Sequence, residues 1–366
     1  MRDVARQRKT LMTPERLLFG SRLRPMIGLV ALALTLAHVD TVSADSADSK
    51  AQVRIVSYPG DSQATFFAAS VLPSASNTLM SEVQKPAADV VLVVDTSASQ
   101  SGDFRRESLA AVNKVLQSLR ANDRDRIFAA DVEAIAMSDQ LFAASDAKVA
   151  SAVDQLRRRI PLGNTNMVSV IDAVRGSLLS QPRNHTRSIV YIGDGATIDA
   201  TGNSQRFAAL IDALRADHFS VHSVAIGPSM NVELMAIMAN HTGGVGGIVN
   251  EKDGNTATAI ARRVTESAIV SPIWIEDAKL PESMTIAHGK RIPPLRVDRD
   301  SILLGQLSGA PEAVNLVLQG TTPTANVKIT SEADVEYGNP DFAFLPGLVN
   351  TALKDDGLTL PTASSG

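Results

Sequence analysis

The feature that most constrains the fold is an apolar run that ends in a cluster of oxygen-bearing side chains. Residues 89–99 have the sequence DVVLVVDTSAS, in which Val and Leu lead without interruption to Asp95, Ser97 and Ser99. An apolar run without polar alternation is typical of a strand buried on both faces, as the central strands of parallel sheets are. Open α/β sheets bind their ligands at the carboxyl ends of such strands. The sequence therefore predicts a site at these three side chains.

The donor atoms of this stretch are carboxylate and hydroxyl oxygens, without a thiol or an imidazole. Such hard donors suit Mg²⁺, Mn²⁺ or Ca²⁺ better than zinc or copper. On its own the pattern is a weak signal, because strands often end in Asp and serine-rich turns follow strands for reasons of turn geometry. A metal site and an ordinary turn both remain open on this stretch alone.

Two later stretches extend the pattern. Residues 161–166, PLGNTN, predict a loop that opens a helix, and residues 189–195, IVYIGDG, predict a second buried strand that ends in Asp194. Together with the first stretch, in order and in spacing, they resemble the von Willebrand factor type A (VWA) domain and its metal-ion-dependent adhesion site. In that family the first loop supplies an Asp and two Ser, the second a Thr, and the third an Asp.

The resemblance implies a set of metal ligands in this chain, which are Asp95, Ser97, Ser99, Thr165 and Asp194. It also implies Mg²⁺ as the cofactor, with Mn²⁺ or Ca²⁺ as alternatives, and a protein partner that offers an Asp or Glu carboxylate to the cation. One departure is Gly193, where the family commonly has Thr or Ser. We expect this departure to leave coordination intact.

The fold class predicted is α/β. Residues 89–270 alternate strands with helices, which is typical of a parallel sheet covered by helices. Strands are predicted at 89–95, 126–130, 134–137, 189–194, 220–226 and 247–250. Helices are predicted at 104–120, 146–159, from the loop 163–166 through 179, and at 204–216, 232–240 and 256–270. This count fits a Rossmann-like VWA domain with a central, mostly parallel six-stranded sheet and helices on both faces, which the resemblance also implies.

The flanking segments predict a smaller β-sandwich-like region. Residues 52–58 and 63–72 form a hairpin pattern, and residues 271–336 contain short strands at close spacing with Pro, Gly and Asp between them. Because the ends of a domain usually lie close together, we expect the hairpin to join these later strands, so that the VWA domain is an insertion. The predicted division is 1–44 signal peptide, 45–88 hairpin and linker, 89–270 VWA domain, 271–336 β-rich domain and 337–366 C-terminal tail.

The first 44 residues have the features of a signal peptide. A basic start precedes an apolar run at 26–39, which is too short to span a bilayer comfortably, and Val42, Ser43 and Ala44 supply small residues for cleavage. We therefore predict export to the periplasm, the cell surface or the medium, with an uncleaved membrane anchor as the alternative. Cleavage after Ala44 removes seven of 35 basic and three of 39 acidic residues, and the remaining 28 and 36 give a net charge of −8. Such a surface predicts no direct binding to anionic membranes.

Several classes of site are disfavoured by composition and spacing. The chain has no basic patch or module typical of nucleic-acid binding. It has no Cys, which excludes disulfides, thiolate metal sites and a cysteine nucleophile.

Asp131 and Glu133 are interpreted as a hairpin tip, whereas Asp103 is either a rim residue or a helix cap. The only Trp, Trp274, is predicted to lie in a core.

The histidines are scattered, without a zinc-binding spacing, and each is predicted at the surface or at a helix end. Those outside the predicted signal peptide are His185, His218, His222, His241 and His288.

The function predicted is an exported adhesion or scaffold module that grips an acidic residue of a partner through a divalent cation. One alternative is a structural role, in which the metal stabilises the fold and no ligand binds. The other is a metal-dependent hydrolase or phosphoryl-transfer enzyme. The enzyme alternative is disfavoured because no Asp lies two residues after Asp95, as in haloacid dehalogenase-type enzymes, and because no G-x-S-x-G elbow is present.

Overall fold

A computed structural model describes residues 46–60, 64–199 and 204–358, and two β-sheets are present within them. Both sheets belong to one compact unit, Ala44–Gly366. The predicted signal peptide, and the last residues of the predicted tail, lie outside the described residues. None of the helices that are described has the length and apolar character needed to cross a membrane.

The strands, in chain order, are β1 (Ser46–Pro59), β2 (Thr65–Pro73), β3 (Ala88–Asp95), β4 (Arg124–Ala130), β5 (Ala134–Ala136), β6 (Phe142–Ala143), β7 (Thr186–Gly193), β8 (Phe219–Ala225), β9 (Gly246–Ile248), β10 (Trp274–Lys279), β11 (Met284–Ile286), β12 (Ser301–Leu307), β13 (Ala313–Thr321) and β14 (Asn326–Tyr337). The α-helices are α1 (Asn77–Gln84), α2 (Asp103–Ser118), α3 (Ala147–Arg158), α4 (Met167–Ser177), α5 (Ser204–Ala216), α6 (Val232–Thr242), α7 (Ala257–Ala268) and α8 (Leu345–Ala352).

The central sheet has the strand order β5-β4-β3-β7-β8-β9, and the short β6 pairs with β4 outside this path. Strands β3, β4, β7, β8 and β9 are parallel, whereas β5 and β6 are antiparallel to β4. Every residue of β3 and β7 is buried, which explains their unbroken apolar runs. Helices α4, α5 and α6 cover one face of this sheet, and α2, α3 and α7 cover the other. The predicted α/β fold is confirmed, and β6 is the one described strand of this sheet that was not predicted.

The second sheet is built from segments on both sides of the central sheet in the chain. Its order is β10-β13-β14-β1-β2-β12-β11. Strand β1 pairs in parallel with β14 and antiparallel with β2, and β2 pairs with β12. Apolar side chains of β1, β2, β12, β13 and β14 meet in a single core. The second, β-rich region predicted from the flanking segments is therefore present.

The predicted linker at 73–86 is wrong in part, because α1 occupies most of it. Ser76 caps this helix by accepting a 3.2 Å hydrogen bond from the Leu79 amide. Leu79 and Val83, one turn apart, are fully buried in the core of the second sheet. One apolar pair in so short a helix gives little helical periodicity. The prolines on either side therefore make the segment resemble a linker.

The cap of α3 also differs from the prediction. The sequence offers Ser145 as the cap of the helix predicted at 146–159, but the N-cap residue is Asp146, whose Oδ1 accepts a 2.8 Å hydrogen bond from the Lys148 amide. Ser and Asp are both common at N-cap positions. Asp146 takes this position because the helix begins at residue 147, one residue later than predicted.

Three histidines are buried, although the sequence predicts each at the surface or at a helix end. His241 does lie in the last turn of α6, whereas His222 lies in β8 and His288 follows β11. His222 and His241 are 0% exposed and His288 is 1% exposed. His222 accepts a 3.1 Å hydrogen bond from the Val245 amide at Nδ1 and lies 3.0 Å from Ser220 Oγ at Nε2. Burial lowers the pKa of all three imidazoles, to about 4 for His241 and about 3 for His288. Isolated histidines in a sequence carry no pattern that distinguishes these positions from exposed ones.

Arg296 joins the second half of the chain to the central sheet. Its side chain is almost completely buried and forms an ion pair with Asp298 at 2.6 Å. Its guanidinium also donates to the carbonyl oxygens of Ser267 and Val270 at the end of α7, and to that of Gly243 at the end of α6. These bonds fix the last helix of the central sheet against the loop that leads to β12.

Candidate metal centre

Three loops meet at the carboxyl ends of β3 and β7. They are residues 96–102 after β3, residues 159–166 before α4, and residues 194–199 after β7. The Leu162 amide donates a 2.9 Å hydrogen bond to the Thr96 carbonyl, and the Ala98 amide donates a 3.0 Å bond to the Gly163 carbonyl. Backbone bonds therefore hold the first two loops together, and Thr165 is carried toward the end of β3.

Asp95 is the centre of the hydrogen-bond network at this edge. It is fully buried as the last residue of β3. Its Oδ1 accepts hydrogen bonds from the Ser97 amide at 2.8 Å and from Thr165 Oγ1 at 2.9 Å. Its Oδ2 accepts a 2.8 Å bond from the Tyr191 hydroxyl. The carboxylate is therefore oriented by three donors from three different elements.

The two serines of the first loop lie side by side. Ser97 Oγ and Ser99 Oγ are 3.0 Å apart, and Ser97 is 5% exposed. The bond from the Ser97 amide to Asp95 closes a turn that begins at the last residue of the strand, and the Gln100 amide closes a second turn on the Ser97 carbonyl at 3.0 Å. This local geometry follows directly from the spacing of the three residues.

Asp194 reaches the same edge from β7 and is 1% exposed. Its Oδ1 accepts a 2.9 Å hydrogen bond from the Ala196 amide, and its Oδ2 accepts a 3.3 Å bond from Gln100 Nε2. The Gln100 side chain also donates to the Ile226 carbonyl at 3.0 Å and accepts a 3.2 Å bond from Ser108 Oγ. Gln100 therefore links the first loop to Asp194.

Tyr191 and Gln100 were not identified from the sequence, although both bond to a predicted ligand. Tyr191 pairs with Val93 across the β3–β7 register, so that its side chain shares a face with Asp95 two residues further along. Burial is the main reason that the pKa of Tyr191 is raised well above its usual value, and the charge of Asp95 adds to it. The phenol therefore remains a donor. The pairing of the two strands, which a single sequence does not specify, was the missing information.

The departure at Gly193 has a structural reason. A Cβ built at this position would lie 2.4 Å from Asp95 Cβ and 2.9 Å from the Tyr191 hydroxyl. The hydroxyl of Tyr191 therefore reaches the space that a Thr or Ser side chain at position 193 would enter. Gly195, two residues on, has a φ of +69°, a left-handed conformation that favours glycine.

The two carboxylates of the site have no basic partner among the described residues. Asp95 and Asp194 are both buried, and no Lys, Arg or His within the described ranges forms an ion pair with either. Burial raises the pKa of Asp95, and the charge of Asp194 adds to this effect, against the opposing hydrogen bonds from Ser97 and Tyr191. Buried charges are normally paired or bound to metals. Two carboxylates beside three hydroxyls are a donor set that fits a hard divalent cation.

This donor set is poor in the side chains that usually mark metal sites. Within the part of the chain that the structure describes, no group of three or more His, Cys, Asp or Glu residues is arranged to hold a metal ion. A cation at this edge would therefore depend on Ser97, Ser99 and Thr165 as much as on the carboxylates.

The other acidic candidates have partners of their own. Asp103 is the first residue of α2, is exposed, and pairs with Arg106. Asp131 lies at the tip of the β4–β5 hairpin, as predicted, and its carboxylate pairs with Arg159. Arg159 also donates a 3.2 Å hydrogen bond to Thr96 Oγ1, so that this ion pair borders the first loop.

Exposed apolar side chains surround the candidate centre. They form an apolar rim, which comprises Val132 (51% exposed), Ile160 (81%), Leu162 (74%) and Ile198 (59%). The Ile198 amide donates a 3.3 Å hydrogen bond to the Thr165 carbonyl, and Asn166 Nδ2 donates a 3.2 Å bond to the Val132 carbonyl. The loops of the rim are therefore bonded to the loop that carries Thr165.

Comparison with known sequences identifies the family of the central domain. A sequence profile described as the von Willebrand factor type A domain matches residues 88–246, from the start of β3 to the start of β9. The chain contains a VWA domain. The matched span includes every residue predicted as a metal ligand. A search of curated proteins finds no sequence that matches this chain.

Two solved structures show how far the fold extends. The von Willebrand factor type A protein from Catenulispora acidiphila is 16% identical, with a TM-score of 0.55, over 85% of this chain and 79% of that one. The ArnB paralog VWA2 from Sulfolobus acidocaldarius is 12% identical, with a TM-score of 0.50, over 84% of this chain and 81% of that one. At these identities the likeness concerns the fold alone. It covers more of the chain than the VWA domain, so the second sheet belongs to the shared architecture.

Proposed function

We propose that this protein binds a partner protein through a divalent cation held by Asp95, Ser97, Ser99, Thr165 and Asp194. The observation that carries the proposal is the pair of buried carboxylates, Asp95 and Asp194, that face hydroxyl groups without a basic partner in the described structure. VWA domains commonly bind Mg²⁺ or Mn²⁺ at a site of this composition and generally bind proteins. When bound, the cation would supply an electrophilic centre that accepts a carboxylate from outside.

Each residue has a distinct task in this proposal. Ser97 and Ser99 present neutral oxygens, which leave the cation strongly charged. Asp95 and Asp194 provide the negative charge that attracts the cation, and their existing hydrogen bonds hold them in place. Thr165 now donates to Asp95 and would turn its lone pairs to the cation. Mg²⁺ is the cation that we propose, because it retains open or water-filled positions when protein ligands are few.

The apolar rim supports a protein as the ligand. Its side chains expose hydrocarbon to water around a polar centre, and exposed apolar clusters of this kind mark interaction sites. A small carboxylate would contact the cation but leave the rim in water. A protein loop with an Asp or Glu at its tip would contact both.

Catalysis is not favoured by the contacts of the hydroxyl groups. Ser97 and Ser99 bond to each other, and no imidazole or amine in the described ranges bonds to either hydroxyl. A binding role needs no base beside these hydroxyl groups, whereas nucleophilic catalysis does. In the remaining alternative the cation only stabilises the fold, and the apolar rim would then have no role.

Thermal unfolding of the purified protein tests the site. We expect Mg²⁺ or Mn²⁺ to raise the midpoint relative to EDTA, by an amount equivalent to about 2.7 kcal/mol at a hundredfold excess over Kd. The variant Asp95→Ala should lose this shift, whereas Asp131→Asn, which alters a nearby carboxylate paired with Arg159, should keep it. Equal midpoints with metal and with EDTA at millimolar metal would contradict the proposal.

We further propose that the protein acts outside the cytoplasm, on the basis of the composition of residues 1–44. Amino-terminal sequencing of the mature protein should find Asp45 as the first residue. Recovery of an intact amino terminus in the membrane fraction would instead support the uncleaved anchor.

A further inference from the structure

A second site is indicated at the opposite edge of the central sheet. A cavity of about 200 Å³ lies between the amino-terminal ends of β7 and β8 and the start of β10 in the second sheet. Its lining includes Arg183, Arg187, His218, Trp274 and Thr322. Arg187 precedes Asp194 by seven residues along β7, a separation of about 23 Å at 3.3 Å per residue. The cavity is therefore separate from the candidate metal centre.

Arg187 is a buried cation without an anionic partner. It is 4% exposed, and its guanidinium donates to the carbonyl oxygens of Gln181 and Asp217 and lies 5.3 Å from the centre of the Phe219 ring. Its Nε has no hydrogen-bond partner in the described structure. No carboxylate of the described residues forms an ion pair with it.

The nearest acidic side chains are already engaged. Asp217 forms ion pairs with Arg175 and with Arg183, the latter at 2.9 Å. Asp89 forms an ion pair with Arg124 at 2.7 Å, and its Oδ1 lies 2.9 Å from His185 Nδ1. Asp217 also lines the cavity, and the charges of both carboxylates favour the Arg187 cation, but neither forms an ion pair with it.

An uncompensated buried charge is costly, and buried charges in native structures are normally paired. The pKa of Arg187 is lowered by burial and, to a lesser extent, by the charge of Arg183, and the charges of Asp89 and Asp217 offset this only in part. An anion inside the cavity would remove this cost.

The cavity has a flat aromatic wall. The rings of His218 and Trp274 stack with centroids 4.9 Å apart and planes 4° from parallel. His218 has a φ of +59°, an uncommon conformation for a residue other than glycine, and it holds its ring against the second sheet. The stack closes one side of the cavity, and the largely exposed Arg183 borders its opening.

We propose that this cavity binds a small oxyanion, either a carboxylate or a phosphate group, with Arg187 as its buried charge partner and Arg183, which is paired with Asp217, as a second donor at the opening. A guanidinium presents N–H groups in a planar fork that matches such oxygens. The volume exceeds the roughly 30 Å³ of one water molecule several times, which leaves room for a group of a few heavy atoms.

Trp274 provides a direct measurement, because it is the only Trp in the chain and lines the cavity. The full chain is titrated at fixed pH with sodium phosphate, sodium sulfate or sodium acetate, and with sodium chloride at matched ionic strength. We expect a saturable change in Trp fluorescence with at least one oxyanion and none with chloride. A response to phosphate and sulfate alone identifies a phosphate-type ligand, and a response to acetate alone identifies a carboxylate.

Variants show whether the two arginines cause the response. Arg187→Gln should abolish saturation, and Arg183→Gln should raise the midpoint concentration roughly tenfold through the loss of one charge-assisted hydrogen bond. Arg183 is exposed, so its variant remains informative if Arg187→Gln fails to fold. Arg126→Gln is the matched control, because Arg126 lies 4.7 Å from the Phe128 ring on β4 and does not line the cavity.

The proposal is overturned if no oxyanion gives a saturable change, or if chloride gives the same change. It is also overturned if Arg183→Gln responds like the wild type and Arg126→Gln. Addition of EDTA should leave the response unchanged, so the result does not depend on the candidate metal centre.

Discussion

The Tyr191 hydroxyl donates a 2.8 Å hydrogen bond to Asp95 Oδ2 and lies where a side chain at position 193 would otherwise be. Residue 193 is a glycine on the strand beside Asp95, and Tyr191 is two residues before it on the same face. The Tyr191 phenol therefore takes the place that a Thr or Ser side chain at position 193 would occupy. This contact gives Tyr191 a direct influence on the candidate metal centre.

Replacement of Tyr191 by Phe should weaken cation binding. The buried carboxylate of Asp95 would lose a donor that orients it, and changes to groups that orient metal ligands typically cost roughly tenfold or more in affinity. Calorimetric titration with Mn²⁺ measures the effect. Tyr337→Phe, which removes an exposed hydroxyl bonded to the Pro311 carbonyl, should bind like the wild type. Equal affinities for Tyr191→Phe and the wild type would show that the hydroxyl has no role at the centre.

The apolar rim should select acidic residues that have apolar neighbours. In an array of immobilised peptides, we expect Mg²⁺-dependent binding to an Asp flanked by Leu, and weaker binding when Ser replaces the Leu or Asn replaces the Asp. The double variant Ile160→Ser/Leu162→Ser should lose the preference for Leu but keep its thermal shift with Mg²⁺. Leu179→Ser, an exposed position that is remote from the rim in sequence, is the control. Binding that ignores the flanking residues would argue against a role for the rim.

Asp125 should make the protein less stable as the pH rises from about 4 to 7. It is 2% exposed, its Oδ2 has no hydrogen-bond partner in the described structure, and burial raises its pKa to about 7. Between the unfolded and folded pKa values the folded state binds more protons, so the free energy of unfolding falls with increasing pH.

The variant Asp125→Asn should therefore match the wild type near pH 4 and be more stable at pH 8, by on the order of 3 kcal/mol. Urea unfolding at both pH values provides the measurement. Asp123→Asn is the matched control with the opposite expectation, because the fully buried Asp123 pairs with Arg120 and accepts from the Ala88 amide, and its loss should destabilise the fold at pH 8. A stability difference for Asp125→Asn that is the same at both pH values would contradict the prediction.

The second sheet should not fold without the amino-terminal hairpin. Strand β1 lies between β14 and β2 in the middle of the strand order, and β2 in turn carries β12. A fragment of residues 271–358 would lack both central strands and expose their apolar neighbours. We expect it to show no cooperative unfolding transition by circular dichroism, whereas residues 45–358 should unfold cooperatively. A well-folded fragment would contradict the interpretation of the VWA domain as an insertion.

The sequence by itself determined the features that depend on short spacing. The apolar runs of β3 and β7 specified buried parallel strands, and the turn after β3 placed Asp95, Ser97 and Ser99 together because they are separated by one residue each. The alternation of strands and helices likewise specified the central sheet and the helices on its faces. These features depend on residues that are close together in the sequence, so a short stretch is enough to predict them.

Only the tertiary structure decided which distant side chains meet. The contacts of Tyr191 with Asp95, of Gln100 with Asp194 and of Thr165 with Asp95 join residues that are 96, 94 and 70 positions apart. The burial of Arg187, and the apolar rim, likewise depend on how separate loops and sheets pack. Strand register and packing arise from the sum of many side-chain contacts across the fold, and no short stretch of sequence contains that sum.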